Sequence, residues 1–175
     1  LTDADGDLDK AIIILRKRGT AHAAKRAGRS TKQGVTGSYI HPGGSVGVLV
    51  EINCESDFVA RTDDFKTLVK EVAMHIAASS PTYVRVEDIP VEVIEREKDI
   101  FRSQLEGSNK PAQVIDKILD GKINSYYGQV VLLKQPSIRD PKTTVADLVA
   151  ATIAKVGENI SIARFARFKV GEIDK

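Results

Sequence analysis

Four consecutive residues, Cys54 to Asp57, carry a thiol, two carboxylates and a hydroxyl within the segment NCESDFVART at residues 53–62. An activated thiol is a nucleophile, and two neighbouring carboxyls can act as a general acid and a general base. Cys54, however, continues the apolar face of an alternating strand, which favours a place in the core. Nothing in the sequence near Glu55 and Asp57 would give these two carboxyls different proton affinities. The segment therefore favours a binding protein over an enzyme.

Metal and nucleotide chemistry find little support in the sequence. The chain has one cysteine and three histidines, so a four-ligand zinc site would need almost all of these side chains. The segment DADGDLD resembles a calcium loop, but Leu8 and Ile14 stand where such a loop needs a glycine and a glutamate. The sequence lacks the glycine-rich patterns that cradle phosphates. We expect no metal site and no cofactor.

Phe58 is a large apolar residue in a place where a polar loop is predicted. Residues 46–52 alternate as a strand does, and the residues after Thr62 have helical spacing, so Phe58 falls in the connection between them. In one interpretation its side chain folds back on its own domain, against a helix that begins near Phe65. In the other it is an anchor for a partner, because aromatic side chains dominate many protein interfaces.

Apolar periodicity predicts a small antiparallel sheet covered by a helix. Alternation predicts strands over Val35–Ile40, Val46–Ile52 and Ile160–Val170, and HPGGS supplies a turn between the first two. The alternation of the last strand slips at Ala163–Arg164, which is typical of a bulge. The stripe through Leu68–Ala77 predicts the covering helix. The fold class is therefore α+β, with a three-stranded sheet.

Further helices are predicted from their start and stop signals. Their N-terminal signals are Asp7, Pro90, Pro111 and the Thr144–Asp147 capping-box pair. The second of these helices is expected to end near Gly107, and the last at Gly157. Residues 122–134 are compatible with helix or strand, because their apolar run is too short for periodicity to decide.

Charge is unevenly distributed although the net charge is only +2. Residues 1–9 carry four acids, and residues 10–50 carry eight bases and no acid. One interpretation is an RNA- or ribosome-associated module that uses the basic segment 10–32, since clustered Lys and Arg bind phosphates. The other is a solvated helix face followed by a basic loop. The absence of interleaved aromatic residues in this segment favours the second and disfavours direct nucleic-acid binding.

Several stretches, taken in order, resemble one family. They are DGDLDKAI with LRKRG, GVLVEINCESDFVAR, EVAMHIAAS, EDIP, KILDGKI, and KVGENISIARFARFKVGE. Their order and spacing resemble elongation factor Ts, the nucleotide-exchange factor of bacterial and organellar elongation factor Tu. The resemblance runs from about Asp5 to Glu172. The length resembles the short form of the family, which has one core module where longer members have two.

The resemblance also implies a division of the chain. Residues 1–30 are interpreted as a linker and a remnant of the family's N-terminal three-helix module, of which only the last helix, from about Asp7, matches. Residues 31–175 are interpreted as the core, dimerisation-type α+β domain. Without its partner helices, the first helix is expected to be poorly ordered or packed on a neighbour. The implied compartment is the bacterial cytoplasm, with the plastid stroma or the mitochondrial matrix as alternatives.

Two motifs of the family carry the implied function. The family's Thr-Asp-Phe-Val loop is occupied by Ser56, Asp57, Phe58 and Val59. In family members the Asp-Phe pair inserts into the G domain of elongation factor Tu and disturbs its magnesium and phosphate contacts. The family's Ile-Gly-Glu-Asn motif, which lies close to that loop, is matched by Val156, Gly157, Glu158 and Asn159. Tyr39 and His41 match a loop near another surface of the partner and carry less weight.

The implied partner is therefore elongation factor Tu, either GDP-bound or nucleotide-free. Exchange requires no bond to be made or broken, so the resemblance implies neither an enzyme nor a cofactor. Some short members have a cysteine in the final strand, but Ala166 stands there and Cys54 is the only thiol. A disulfide-locked dimer is not supported, and a non-covalent homodimer stays open. No apolar run approaches the roughly 20 residues that a membrane helix needs.

Overall fold

A three-stranded antiparallel sheet in the order β1–β2–β3 organises the chain. The computed structural model describes residues 2–105 and 111–172. In it the strands are β1 (Gln33–Ile40), β2 (Val46–Cys54) and β3 (Ile160–Lys169). Both outer strands pair antiparallel with β2. The predicted α+β class and the three predicted strands are confirmed, with ends that differ by one or two residues.

The central strand β2 places alternate side chains in the core. Val48, Val50, Ile52 and Cys54 are all buried. The register between β2 and β3 shifts where Glu51 lies opposite Arg164 while Ile52 lies opposite Ile162. Ala163 is the extra residue, so the predicted slip at Ala163–Arg164 is a β-bulge.

Six α-helices complete the described part of the chain. They are α1 (Leu8–Arg26), α2 (Asp57–Ala60), α3 (Asp63–Ser79), α4 (Val91–Ser103), α5 (Ala112–Val130) and α6 (Val145–Val156). The Thr144–Asp147 capping box is present at the start of α6, as predicted. The ambiguous residues 122–134 form the end of α5 and a 3₁₀ turn at Leu132–Lys134. The end predicted near Gly107 lies outside the described residues. The helices that the structure describes are all too short or too polar to cross a membrane.

Helix α3 covers the sheet with the apolar stripe that the sequence predicts. Its buried side chains include Phe65, Leu68, Val72, Ala73 and Ile76. The helix comes so close to β1 that a Cβ added at Gly37 would overlap the Cγ1 methyl of Val69. The packing of α3 on the sheet therefore requires a glycine at position 37 as well as the large apolar side chains of the helix.

Helix α1 packs along α6 of its own chain. Ala11 and Gly19 are buried, and a Cβ at Gly19 would lie 3.8 Å from the carbonyl oxygen of Ala150. Arg16 donates to the Asp147 carboxylate at 2.8 Å beside this contact. The sequence predicts a poorly ordered helix or one packed on a neighbour, and α6 supplies the contact. Leu8, Ile12, Ile13 and Leu15 remain exposed.

A buried histidine links α3 to the segment before α6. The amide nitrogen of Gln135 donates to the carbonyl of Gln129 at 2.7 Å, so its Oε1 accepts from His75 Nε2 at 2.9 Å. Within the described residues, His75 Nδ1 has no hydrogen-bond partner. Burial lowers the pKa of His75, because protonation would place an unpaired charge in the core.

We predict that Gly37→Ala lowers the free energy of unfolding by about 1–3 kcal/mol, because the added methyl overpacks the contact with Val69. The companion change Val69→Ala should restore part of that loss in the double variant, since it removes the overlapping methyl. Urea unfolding of the two single variants and the double variant measures the coupling. Strictly additive losses would contradict the close packing of α3 on β1.

We predict that acidification destabilises the fold through His75. Its folded-state pKa is depressed, so the neutral form contributes stability that is complete above the unfolded pKa of about 6.5 and is lost as pH falls below it. The free energy of unfolding should fall by up to about 1.4 kcal/mol per pH unit as the pH decreases below about 6.5. In His75→Gln this slope should flatten, whereas the exposed control His22→Gln should keep it. Equal slopes in both variants would argue against the assignment.

Candidate functional site

The loop that carries Phe58 begins directly after β2 and forms the single turn of α2. The Ser56 hydroxyl caps this turn by accepting from the Val59 N–H at 3.3 Å. Val59 is only 4% exposed and anchors the turn in the core. Phe58, the preceding residue, is 77% exposed. The Phe58 side chain therefore does not fold back on its own domain, and the first of the two interpretations is wrong.

A second loop connects α6 to β3 and contains the residues 156–159. Gly157 ends α6 with a φ of +79°, a left-handed conformation that side chains rarely adopt, and its N–H donates to the Ile153 carbonyl at 2.9 Å. Val156 is half-buried against the core, and Asn159 is only 7% exposed. The cap at Gly157 and the packing of Val156 and Asn159 thus hold the backbone of this loop within the chain itself.

Two carboxylates tie the loops together in both directions. Glu158 accepts from the backbone N–H of Ser56 at 2.9 Å and from the Ser56 hydroxyl at 2.6 Å. In return, Glu55 accepts from the backbone N–H of Asn159 at 2.7 Å. Hydrogen bonds to a charged acceptor are about twice as strong as neutral ones. The two motifs identified in the sequence therefore lie side by side, joined by a reciprocal pair of charge-assisted bonds.

The C-terminal end of α1 joins the same cluster. The Asn159 side-chain amide donates to the carbonyl of Arg29 at 2.8 Å, with a weaker contact of 3.5 Å to that of Ala27. Arg26 Nε donates to the Gly157 carbonyl at 2.8 Å. The guanidinium of Arg29 lies 3.6 Å from the Glu55 carboxylate. Three segments that are distant in the sequence thus meet behind Phe58.

Sequence reasoning missed Arg26, Arg29 and the role of Glu55, which it considered only as one member of a possible acid–base pair. One feature of the sequence could have indicated this contact. In each loop a glutamate directly precedes the residue that the glutamate of the other loop binds. Glu55 precedes Ser56, and Glu158 precedes Asn159. This symmetry becomes visible only when the two strand ends are known to be neighbours.

Cys54 belongs to the core, as its place on the strand predicts. The thiol is fully buried and donates to the Ser56 carbonyl at 3.1 Å. Burial raises the pKa of the Cys54 thiol, and the negative charge of Glu158 raises it further. A thiol that stays protonated is a poor nucleophile. Over residues 2–105 and 111–172, no group of three His, Cys, Asp or Glu side chains is placed to hold a metal ion.

Charged pairs are present on α2, which carries Phe58, and between α3 and α6. Asp57 accepts from Arg61 at 2.6 Å, and Asp64 accepts from Lys155 at 3.3 Å, with all four side chains largely exposed. Such surface pairs contribute little to stability because water screens them. Phe58 thus lies on the same short turn as an exposed ion pair, and an aromatic residue beside polar groups is common at protein interfaces.

Tyr39 and His41 lie at the other end of the sheet. The Tyr39 hydroxyl is 3.2 Å from His41 Nδ1. Tyr39 pairs with Val48, six residues before Cys54 on β2, which corresponds to about 20 Å along a strand. The structure therefore brings the two quartets of residues together but leaves this pair apart from them.

Comparison with known proteins identifies the family of this chain. Residues 19–172 match the family described as Elongation factor TS. The elongation factor Ts of Koribacter versatilis is 57% identical over 99% of this chain and 79% of that protein. Those of Fervidobacterium nodosum and Geobacter sulfurreducens are 55% and 52% identical over 98% of this chain, and 87% and 80% of their own lengths are covered. The chain belongs to the elongation factor Ts family.

Proposed function

We propose that this member of the family, a translation elongation factor, binds elongation factor Tu and promotes the release of GDP, with Phe58 as the anchor of the contact. The observation that carries the proposal is the 77% exposure of Phe58 on a loop whose backbone is held by Glu158 and by buried Val59. Covering an exposed phenylalanine with a partner removes apolar surface from water, which favours association. The loop presents it outward at a fixed position.

The fixed backbone supports tight binding for an entropic reason. A loop that becomes ordered only on binding loses conformational freedom at that moment, which reduces affinity. Here the reciprocal bonds of Glu55 and Glu158 order the loop in the free protein. The interaction energy of Phe58 is then available to distort the partner. We assign Asp57, which is exposed beside Phe58, to the same contact.

The remaining site residues are proposed to support this contact. Ser56 and Val59 shape the turn, and Val156 with Gly157 forms the neighbouring surface. Glu158 and Asn159 hold the two loops together. Tyr39 and His41, at the far end of the sheet, are proposed as a weaker second contact, because a single interface of standard size spans many residues.

The mechanism follows from thermodynamic linkage and requires no chemical step. A factor that binds the nucleotide-free partner more tightly than the GDP-bound partner must weaken GDP binding by the same ratio. Mg²⁺ demands near-ideal octahedral geometry, so a small displacement of its ligands weakens the whole nucleotide site. An aromatic side chain inserted between packed elements is suited to produce such a displacement.

Pairing within the chain supports a protein partner over RNA. Arg16, Arg18 and Arg29 of the basic segment lie within salt-bridge distance of Asp147, Asp3 and Glu55, respectively. These guanidinium groups already have carboxylate partners. A chain that bound RNA with a steep salt dependence and left GDP release unchanged would favour the other function. The bacterial relatives support the bacterial cytoplasm as the compartment.

We predict that Phe58→Ala reduces GDP release from elongation factor Tu about tenfold or more at subsaturating factor, which corresponds to roughly 1.4 kcal/mol of lost interaction. The melting temperature should stay almost unchanged, because an exposed loop side chain contributes little to the core. Asp57→Ala should act in the same direction. Release of a fluorescent GDP analogue, followed by stopped flow, measures the rate.

Two controls separate this effect from general damage. Phe168→Ala truncates another exposed phenylalanine, 63% exposed on β3, and should leave the release rate unchanged. Cys54→Ser should lower stability, because it buries a hydroxyl, yet keep exchange, because serine retains a donor for the Ser56 carbonyl. The proposal fails if Phe58→Ala lowers the melting temperature by many degrees but the folded variant catalyses exchange at the normal rate.

A further inference from the structure

Asn159 faces inward at the point where the two loops and α1 meet. Its backbone N–H donates to Glu55, and its side-chain amide donates to the carbonyl of Arg29 at 2.8 Å. Because the residue is only 7% exposed, little of it is accessible to a partner. A buried amide is satisfied by such bonds and is strongly unfavourable without them. The contacts of Asn159 therefore indicate a role inside the protein, behind the exposed loop.

The end of α1 depends on contacts with the second loop. The last carbonyls of a helix lack partners within the helix. Helix α6 resolves this with left-handed Gly157, whereas the C-cap of α1 is Ala27 in a right-handed helical conformation. The Asn159 amide contacts the Ala27 and Arg29 carbonyls, and Arg26, in the last turn of α1, donates to the Gly157 carbonyl. The Arg26 carbonyl itself accepts from the Arg29 N–H at 2.8 Å, so the α6–β3 turn does not terminate α1 alone but holds the segment that follows the helix in place.

These bonds connect the Phe58 loop to both helices. Helix α1 rests on α6 through buried Gly19 and through the 2.8 Å bond from Arg16 to Asp147. One carboxylate oxygen of Glu55, Oε1, accepts from the Asn159 N–H at 2.7 Å and also lies 3.6 Å from the Arg29 guanidinium. A rotation of the α1 end would therefore move the residues that bind Glu55, at the base of the Phe58 loop.

We propose that Asn159 and Arg26 are positioning residues for nucleotide exchange. They fasten the end of α1 to the α6–β3 turn and thereby set the orientation of the exposed Phe58 side chain. The inference rests on the proposed function and deepens it. A functional group must be held within about 0.5 Å of its productive position by a supporting shell of packed and hydrogen-bonded residues. Neither residue needs to touch elongation factor Tu, because both act through Phe58.

A double-mutant cycle distinguishes positioning from direct contact. Asn159→Ala in the otherwise unchanged full chain should slow GDP release at subsaturating factor by about three- to tenfold. In the Phe58→Ala background the same change should have less than about a twofold effect, because coupled residues are non-additive. Arg26→Met, which places a methyl group where Arg26 has its donating Nε, should behave likewise, and Arg26→Gln, whose amide nitrogen keeps a donor at that position, should recover part of the rate.

Amide hydrogen exchange supplies a readout independent of elongation factor Tu. In Asn159→Ala and Arg26→Met, the backbone amides of Ser56 and of residue 159 should exchange about tenfold faster or more, while core amides of α3 keep their protection. Asn53→Ala is the matched control. It removes the same side-chain amide, which here donates to Glu51 at 3.2 Å on β2, and should change neither the loop amides nor the release rate.

The outcomes separate this inference from the proposed function. If the wild-type chain does not accelerate GDP release, the proposed function and the positioning role both fail. If wild type accelerates release and Phe58→Ala impairs it, positioning alone is overturned by an unchanged rate in Asn159→Ala and Arg26→Met. It is also overturned by a loss that adds fully to that of Phe58→Ala, since Asn159 would then contact the partner itself. Should Asn159→Ala not fold, Arg26→Met decides by the same criteria.

Discussion

The antiparallel pairing of β2 with β3 is the constraint on which the site depends. Cys54, the last residue of β2, lies opposite Ile160, the first residue of β3. The residues that follow β2 and those that precede β3 are therefore neighbours at the same end of the sheet. Glu55 and Glu158 then need to span only a short gap to reach the backbone of the opposite loop. The bulge at Ala163 sets this pairing, because a register shift of one residue would bring other residues together at this end of the sheet.

The sheet, the α3 stripe and the α6 capping box could be predicted because their signals are local. Periodicity and capping operate over a few residues, and those elements appear where they were expected. The reciprocal carboxylate bonds join residues 102 and 104 positions apart, and no periodicity reports such a contact. The neighbour of α1 was not predictable for a similar reason: small Gly19 packs on α6, while apolar Leu15 stays exposed.

The candidate site was identified from the sequence only through its resemblance to a family, and the structure adds how the residues are arranged. Residue types alone left Phe58 with two interpretations, since a loop phenylalanine can turn inward or outward. The choice depends on the adjacent Val59, which is buried and thereby fixes the orientation of the single-turn helix. The turn that Ser56 caps directs Val59 into the core and Phe58 to the surface.

The wide sequence separation of the two loops has a consequence for biosynthesis. Chains are made from the N-terminus at about 5–20 residues per second, so Glu158 follows Ser56 by roughly 5–20 s. During that interval the nascent chain has β1, β2 and α3 but lacks the carboxylate that holds the Ser56 backbone. The Phe58 segment therefore acquires its final shape late, when almost all of the described chain has been translated. The order of synthesis delays the binding-competent form until β3 can join the sheet.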